Sequence, residues 1–297
     1  MKKEKNPINL MLAFFGIALV AVIPVRCYQF IKILEPGTGF YEKTDWSVWF
    51  LYIFIPIVCI ALAVISLSKK KTLVYDNKPI KSIAVALAAF MLALTLIIDA
   101  VEQFGTAFSL LNNTPIFYGE SVGLFKSGAA ARVFEAIAAV ICTVYFTIFG
   151  YGHITGKSCA VDNKLMALFP VIWCICRLMH RFMQTINYLN VSDLMFELFM
   201  CVILMLFFMA FAQLNSNVNA DNLSWKLAAY GLPAALLCLL CFLPRFIMLI
   251  TGRSDSLYTE SPVEWCDLGC AVFIITLIMS RLGIASKKHE TNSEAEN

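Results

Sequence analysis

Apolar residues run in blocks along this chain, with short polar stretches between them. The blocks cover residues 9–33, 48–68, 82–104, 131–151, 164–186, 193–214, 227–250 and 263–284. Each is about as long as the ~20 residues that cross a hydrocarbon layer. A helix satisfies its own backbone N–H and C=O groups where no water is present, so such blocks predict membrane-spanning helices. The expected fold class is all-α: a polytopic integral membrane helical bundle of about eight transmembrane helices. Residues 1–286 are expected to form one transmembrane domain, and residues 287–297 a short polar cytoplasmic tail. The first block outruns the ~7 to 15 apolar residues of a signal-peptide core and lacks a small-residue cleavage site, so it is read as the first helix.

Composition agrees with this pattern. The 297 residues are 60% hydrophobic and 14% charged, with a mean hydropathy of +0.77. An ordinary soluble domain carries roughly 25% charged residues. Of the 11 cysteines, only Cys159 lies outside a block. Cys238 and Cys241 form a C-x-x-C, but "CLLC" in an apolar helix lacks the polar setting and the second ligand pair of a zinc site. The sequence implies no metal and no cofactor.

Lys and Arg gather on cytoplasmic loops of membrane proteins, which orients the chain. With the amino terminus inside, fourteen of the 23 basic residues but only seven of the 20 acids fall on inner segments. Both termini are therefore expected to be cytoplasmic and the protein to sit in a cell membrane. The inner lysines face anionic lipid headgroups, and nothing in the charge pattern suggests a nucleic-acid surface. The sequence specifies no protein partner.

Aligned on the outward turns, a two-helix unit recurs four times: "VIPVRCYQFIKIL...TDWSVWFLYIF", "IIDAVEQFGTAFSL...AARVFEAIAAV", "VIWCICRLMHRFMQTI...VSDLMFELFMCV" and "LLCFLPRFIMLI...SPVEWCDLGCAV". The alignment is degenerate, and chance resemblance stands beside a true repeat of helical hairpins. Each rising helix gains polar residues near its outer end. Each returning helix carries an acid or aromatic in its first turns. At ~1.5 Å per residue, Arg177 and Arg181 lie about 20 and 25 Å into a ~30 Å layer, and Arg26, Asp99 and Arg245 fall at similar depth. The ionisable residues thus form one layer beneath the outer surface.

Arg177, His180 and Arg181 occupy positions i, i+3 and i+4, which share one helix face. Three cations there repel unless acids or an anionic ligand face them. Equal distance from a hairpin turn implies equal depth, which pairs Arg181 with Glu197 about Asn190 and Arg245 with Asp267 about Ser256. Simpler roles compete. Arg26, Lys32 and Arg245 are near enough to helix ends to snorkel. Asp45 and Asp193 fit helix caps. Asp99 and Glu102, on one face, suit either a proton relay or an exposed helix end. Tyr41, Trp46, Trp49, Tyr188, Tyr258 and Trp265 on the outer side, with Tyr75 and Trp225 on the inner, fit an aromatic belt. The connection at 105–131 is expected to lie on the outer face as a lid or short interfacial helix.

Protease, hydrolase and nucleotide-binding signatures are absent from the sequence. Three readings remain open. In the first, Arg177, His180, Arg181, Glu197, Arg245 and Asp267 line an outward cavity that binds or transports a small anionic or zwitterionic solute. In the second, the protein is a non-catalytic sensor or assembly component whose intramembrane ion pairs are structural. In the third, Glu197, His180 and Arg177 serve an intramembrane lipid-modifying enzyme. The first two differ in whether the charged side chains point into a wet cavity or toward one another.

Overall fold

The computed structural model describes residues 7–35, 40–70, 73, 75, 81–112, 128–156, 165–183, 191–216, 223–253 and 263–282. These form eight α-helices: α1 (Pro7–Lys32), α2 (Trp46–Ser68), α3 (Ile83–Asn112), α4 (Ala129–Thr155), α5 (Phe169–Met183), α6 (Val191–Asn215), α7 (Ser224–Ile250) and α8 (Trp265–Leu277). All eight sequence-predicted helices are present. Seven are long and apolar enough to cross a membrane, and the protein is a multi-pass membrane-like helical bundle.

The exception is α5. Its 15 described residues rise about 22 Å against a hydrocarbon layer of ~30 Å, and the next residues, 184–190, lie outside the described residues. A 3-10 turn, Met166–Leu168, precedes it, and Pro170 sits in its first turn, where a missing N–H costs nothing. The predicted 164–186 span is thus shorter as a described α-helix. α3 departs the other way and runs to Asn112, eight residues past the predicted 104. Its polar end stays helical, and the Thr106 and Ser109 hydroxyls are satisfied within it, donating back to the Glu102 and Thr106 carbonyls at 2.7 and 2.8 Å. Residues 105–112 and 128–131 therefore belong to helices or their edges rather than to a lid, while 113–127 lie outside the described residues, as do Tyr188, Tyr258, Cys159 and the polar tail.

Neighbour relations define the architecture. α3 packs on α4, α4 on α5, α5 on α6, α6 on α7, α7 on α8, and α8 returns to α3, which closes a six-helix ring. The α1–α2 hairpin packs against the outside of this ring through α7. Contacts between helices that are not ring neighbours must cross the interior, and phenylalanines make them. Phe146 and Phe149 of α4 meet Phe208 and Phe211 of α6 and Phe273 of α8, with ring centroids 5.1 to 6.0 Å apart. All five are buried. Aromatic packing, mostly edge-on, fills this part of the interior.

Close helix approach depends on small residues, as expected where lipid supplies no hydrophobic drive between helices. A Cβ on Gly269 of α8 would lie 2.2 Å from Thr95 Oγ1 and 3.3 Å from the Leu92 Cα of α3. Outward faces carry exposed apolar side chains such as Ile17, Val20, Ile57, Ile60, Leu94, Val101 and Val140.

Candidate functional site

Helix direction places the charges. Arg26, Arg177, Arg181 and Arg245 lie toward the carboxyl ends of α1, α5 and α7, where the helix dipole favours cations. Asp193, Glu197, Glu264 and Asp267 lie at the amino ends of α6 and α8, where it favours anions. Because the helices alternate in direction, all eight side chains meet at one end of the bundle. Spacing of i, i+4 puts Arg177 and Arg181 on one face of α5, and Asp193 and Glu197 on one face of α6.

These groups alternate in sign along a continuous ladder. Arg26 pairs with Asp193. Asp193 Oδ2 lies 3.6 Å from Arg245 Nη2, and Arg245 pairs with Glu197. Glu197 Oε2 is 2.8 Å from Arg181 Nη1. Arg181 and Arg177 both engage Glu264, and Arg177 Nη2 reaches Asp267 Oδ1 at 2.7 Å. Since α5 and α8 are not ring neighbours, the Arg177 rungs cross the mouth of the ring. Four guanidiniums face four carboxylates, so the ladder is neutral by itself. Each charge would cost several kcal/mol alone in hydrocarbon, and pairing offsets that cost only because every partner is held in place.

All six candidate residues lie in this layer. Arg177, Arg181, Glu197, Arg245 and Asp267 are rungs. His180 sits beside them, its Nδ1 2.6 Å from Glu135 Oε2 of α4. The expected Arg181–Glu197 pair is present. The expected Arg245–Asp267 pair is replaced: Arg245 turns to α6 and leaves Asp267 to Arg177. Equal depth within a hairpin permitted the pair, but lateral packing across the ring decided it.

Simpler roles change as well. Arg26 and Arg245 are 2% and 3% exposed, which excludes snorkelling in this arrangement. The Asp193 carboxylate is taken by Arg26 and Arg245. Asp45 occupies the N-cap position of α2, yet its side chain makes no capping bond. Tyr41 turns inward, where its hydroxyl accepts from Arg26 Nη1 at 3.1 Å and its ring packs near Phe30, Leu34 and Met248. Trp46 and Trp49 stay exposed, as a belt requires.

Glu264 was not legible as a site residue, although it is the rung that joins both α5 arginines. It precedes α8 as its N-cap, and a lone Glu in "SPVEWCD" carries no periodic signal. With Cys266 and Asp267 it forms a trio whose potential ligand atoms lie within 4.8 Å of one another. A metal ion there would have to displace the Arg177 and Arg181 guanidiniums from both carboxylates. Two buried donors, Arg177 Nη1 and Arg181 Nε, have no acceptor among the described residues. A small cavity lies at the α1 end of the ladder, lined by Arg26, Phe30, Asp193, Phe196 and Arg245. That is space for about one water.

In comparison with known proteins, no family model, no curated protein and no solved structure matches the chain.

Proposed function

We propose that this protein is a non-catalytic membrane component, a sensor or an assembly component, in which the ladder is a structural clamp across one end of the bundle. The observation that carries this reading is the charge-balanced alternation from Arg26 to Asp267, in which each guanidinium points at carboxylates of neighbouring helices. The aromatic fill of the ring interior adds to it, since buried rings of α4, α6 and α8 meet there. In this reading the ladder faces outward, both termini are cytoplasmic, and the inner lysines lie against anionic headgroups of a cell membrane; the distribution of Lys and Arg supports that orientation.

A second reading is binding or transport of a small anionic or zwitterionic solute at Arg177, His180, Arg181, Glu197, Arg245 and Asp267. The acceptor-free Arg177 Nη1 and Arg181 Nε favour it, because a buried donor without a partner costs about 1 to 3 kcal/mol. Cys266, buried and with its Sγ 3.8 Å from Asp267 Oδ1, is a native reporter that separates the two. A charged, membrane-impermeant thiol reagent is applied to the protein in nanodiscs, and modification of Cys266 is read by mass spectrometry. A structural clamp leaves Cys266 unmodified until the protein unfolds, and acetate or glycine leaves the thermal midpoint unchanged. Rapid modification in the native state, or a midpoint raised by either solute, favours the second reading instead.

A further inference from the structure

Beside the ladder, α3, α4 and α5 hold a second buried polar group that the clamp does not use. Asp99 of α3 is 6% exposed. Its Oδ2 accepts from Trp173 Nε1 at 3.2 Å and its Oδ1 from Gln103 Nε2 at 3.4 Å. Both donors are neutral, and no cation lies within ion-pair distance of Asp99 among the described residues. The nearby charges are already engaged: Arg177 by Glu264 and Asp267, and Glu135 by His180. Arg132 of α4 reaches Gln103 Oε1 at 3.4 Å rather than Asp99 itself.

We propose that Asp99 is a proton-binding site of the membrane domain, occupied by one exchangeable proton in the folded protein. The inference goes beyond the clamp and does not rest on it. An ionised carboxylate at this position would be a buried charge answered only by an indole N–H and one long amide contact, which is costly in a membrane bundle. His180, the other buried group here that can carry a proton of its own, faces Glu135 instead.

The groups facing Asp99 from each packed element are Gln103 on its own helix, Glu135 and Cys142 on α4, Trp173 and Arg177 on α5, and Cys266 and Cys270 on α8, while Arg132 of α4 reaches it only through Gln103. Of these, Glu135 is the competing acid. Binding adds one H⁺ to a carboxylate oxygen, and release returns it to solvent, with no other bond made or broken. In this arrangement release leaves a negative charge on α3 opposite α5, so proton occupancy is communicated to the helix that carries Arg177 and Arg181. A pH-responsive sensor would need such a link.

Infrared spectra of the protein in lipid nanodiscs test the assignment. At about pH 6, well above the ordinary Asp range, the wild type should show the carbonyl stretch of a protonated carboxylic acid. Asp99→Asn should remove that band, Glu135→Gln should retain it, and Asp99→Glu should move it without abolishing it, which separates the assignment from misfolding. Raising the pH to about 9 should remove the wild-type band with release of one proton per chain. The sign for stability follows: a buried acid that folds protonated supports the fold at low pH and loses that support as pH rises through its titration. The wild-type thermal midpoint should therefore fall from about pH 4, the ordinary Asp value, until the folded acid has lost its proton, and Asp99→Asn should lack this contribution. A wild-type spectrum without the band, or a band lost in Glu135→Gln and kept in Asp99→Asn, overturns the proposal.

Discussion

Arg177 of α5 reaches across the mouth of the helix ring to Asp267 of α8, Nη2 to Oδ1 at 2.7 Å, and both side chains are almost wholly buried. The two helices are not neighbours in the ring, so the pair ties opposite walls. Every other rung joins helices at the same end, which makes the ladder a single unit rather than a set of independent bridges.

Glu264 is the rung shared by Arg177 and Arg181. Glu264→Gln keeps the shape but removes one charge from the centre of the ladder. Its expected cost is about 2 to 3 kcal/mol, the scale of lost charge-assisted hydrogen bonds in a buried setting. Asp193→Asn sits nearer the α1 end, where one contact is already 3.6 Å long, and is expected to cost less. Reversible unfolding of both variants in the same detergent mixture checks the order.

Gly269 and Gly231 give a steric contrast. At Gly269 an added Cβ meets Thr95 Oγ1 at 2.2 Å and the Leu92 Cα at 3.3 Å, so backbone must move. At Gly231 the nearest atom is Ile278 Cδ1 at 2.8 Å, the far end of a side chain that can turn away. Gly269→Ala is expected to cost about 1 to 3 kcal/mol and Gly231→Ala less. Thermal midpoints of the two variants, side by side, decide it.

Topology is checked by cysteine labelling. Single cysteines placed at positions 190 and 256, in a background without accessible native thiols, are expected to react from the same side of sealed vesicles, opposite to a cysteine at position 157. Labelling of 190 and 256 from opposite sides would overturn the alternating arrangement.

Much of the fold was written in the apolar blocks because hydrocarbon forces every span to be a long helix. Ends were harder to place. α3 continues past its apolar block through Thr106 and Ser109, whose hydroxyls find acceptors within the helix, and α5 opens with a 3-10 turn just before Pro170. Depth counting found the charged layer and the Arg181–Glu197 pair. It does not show that Arg177 reaches Asp267 across the ring, which leaves Arg245 to Glu197 on neighbouring α6. Glu264 escaped notice because its importance comes from lying between two arginines in space.

The most direct test of the clamp is a double-mutant cycle on Arg181 and Glu197, with unfolding free energy read for the wild type, Arg181→Ala, Glu197→Ala and the pair. Breaking a buried pair by removing one partner costs on the order of 3 to 5 kcal/mol, because the other charge is stranded. A clamp predicts that each single variant loses stability on that scale and that the double loses clearly less than the sum of the two. Additive losses, or single variants as stable as the wild type, would contradict it.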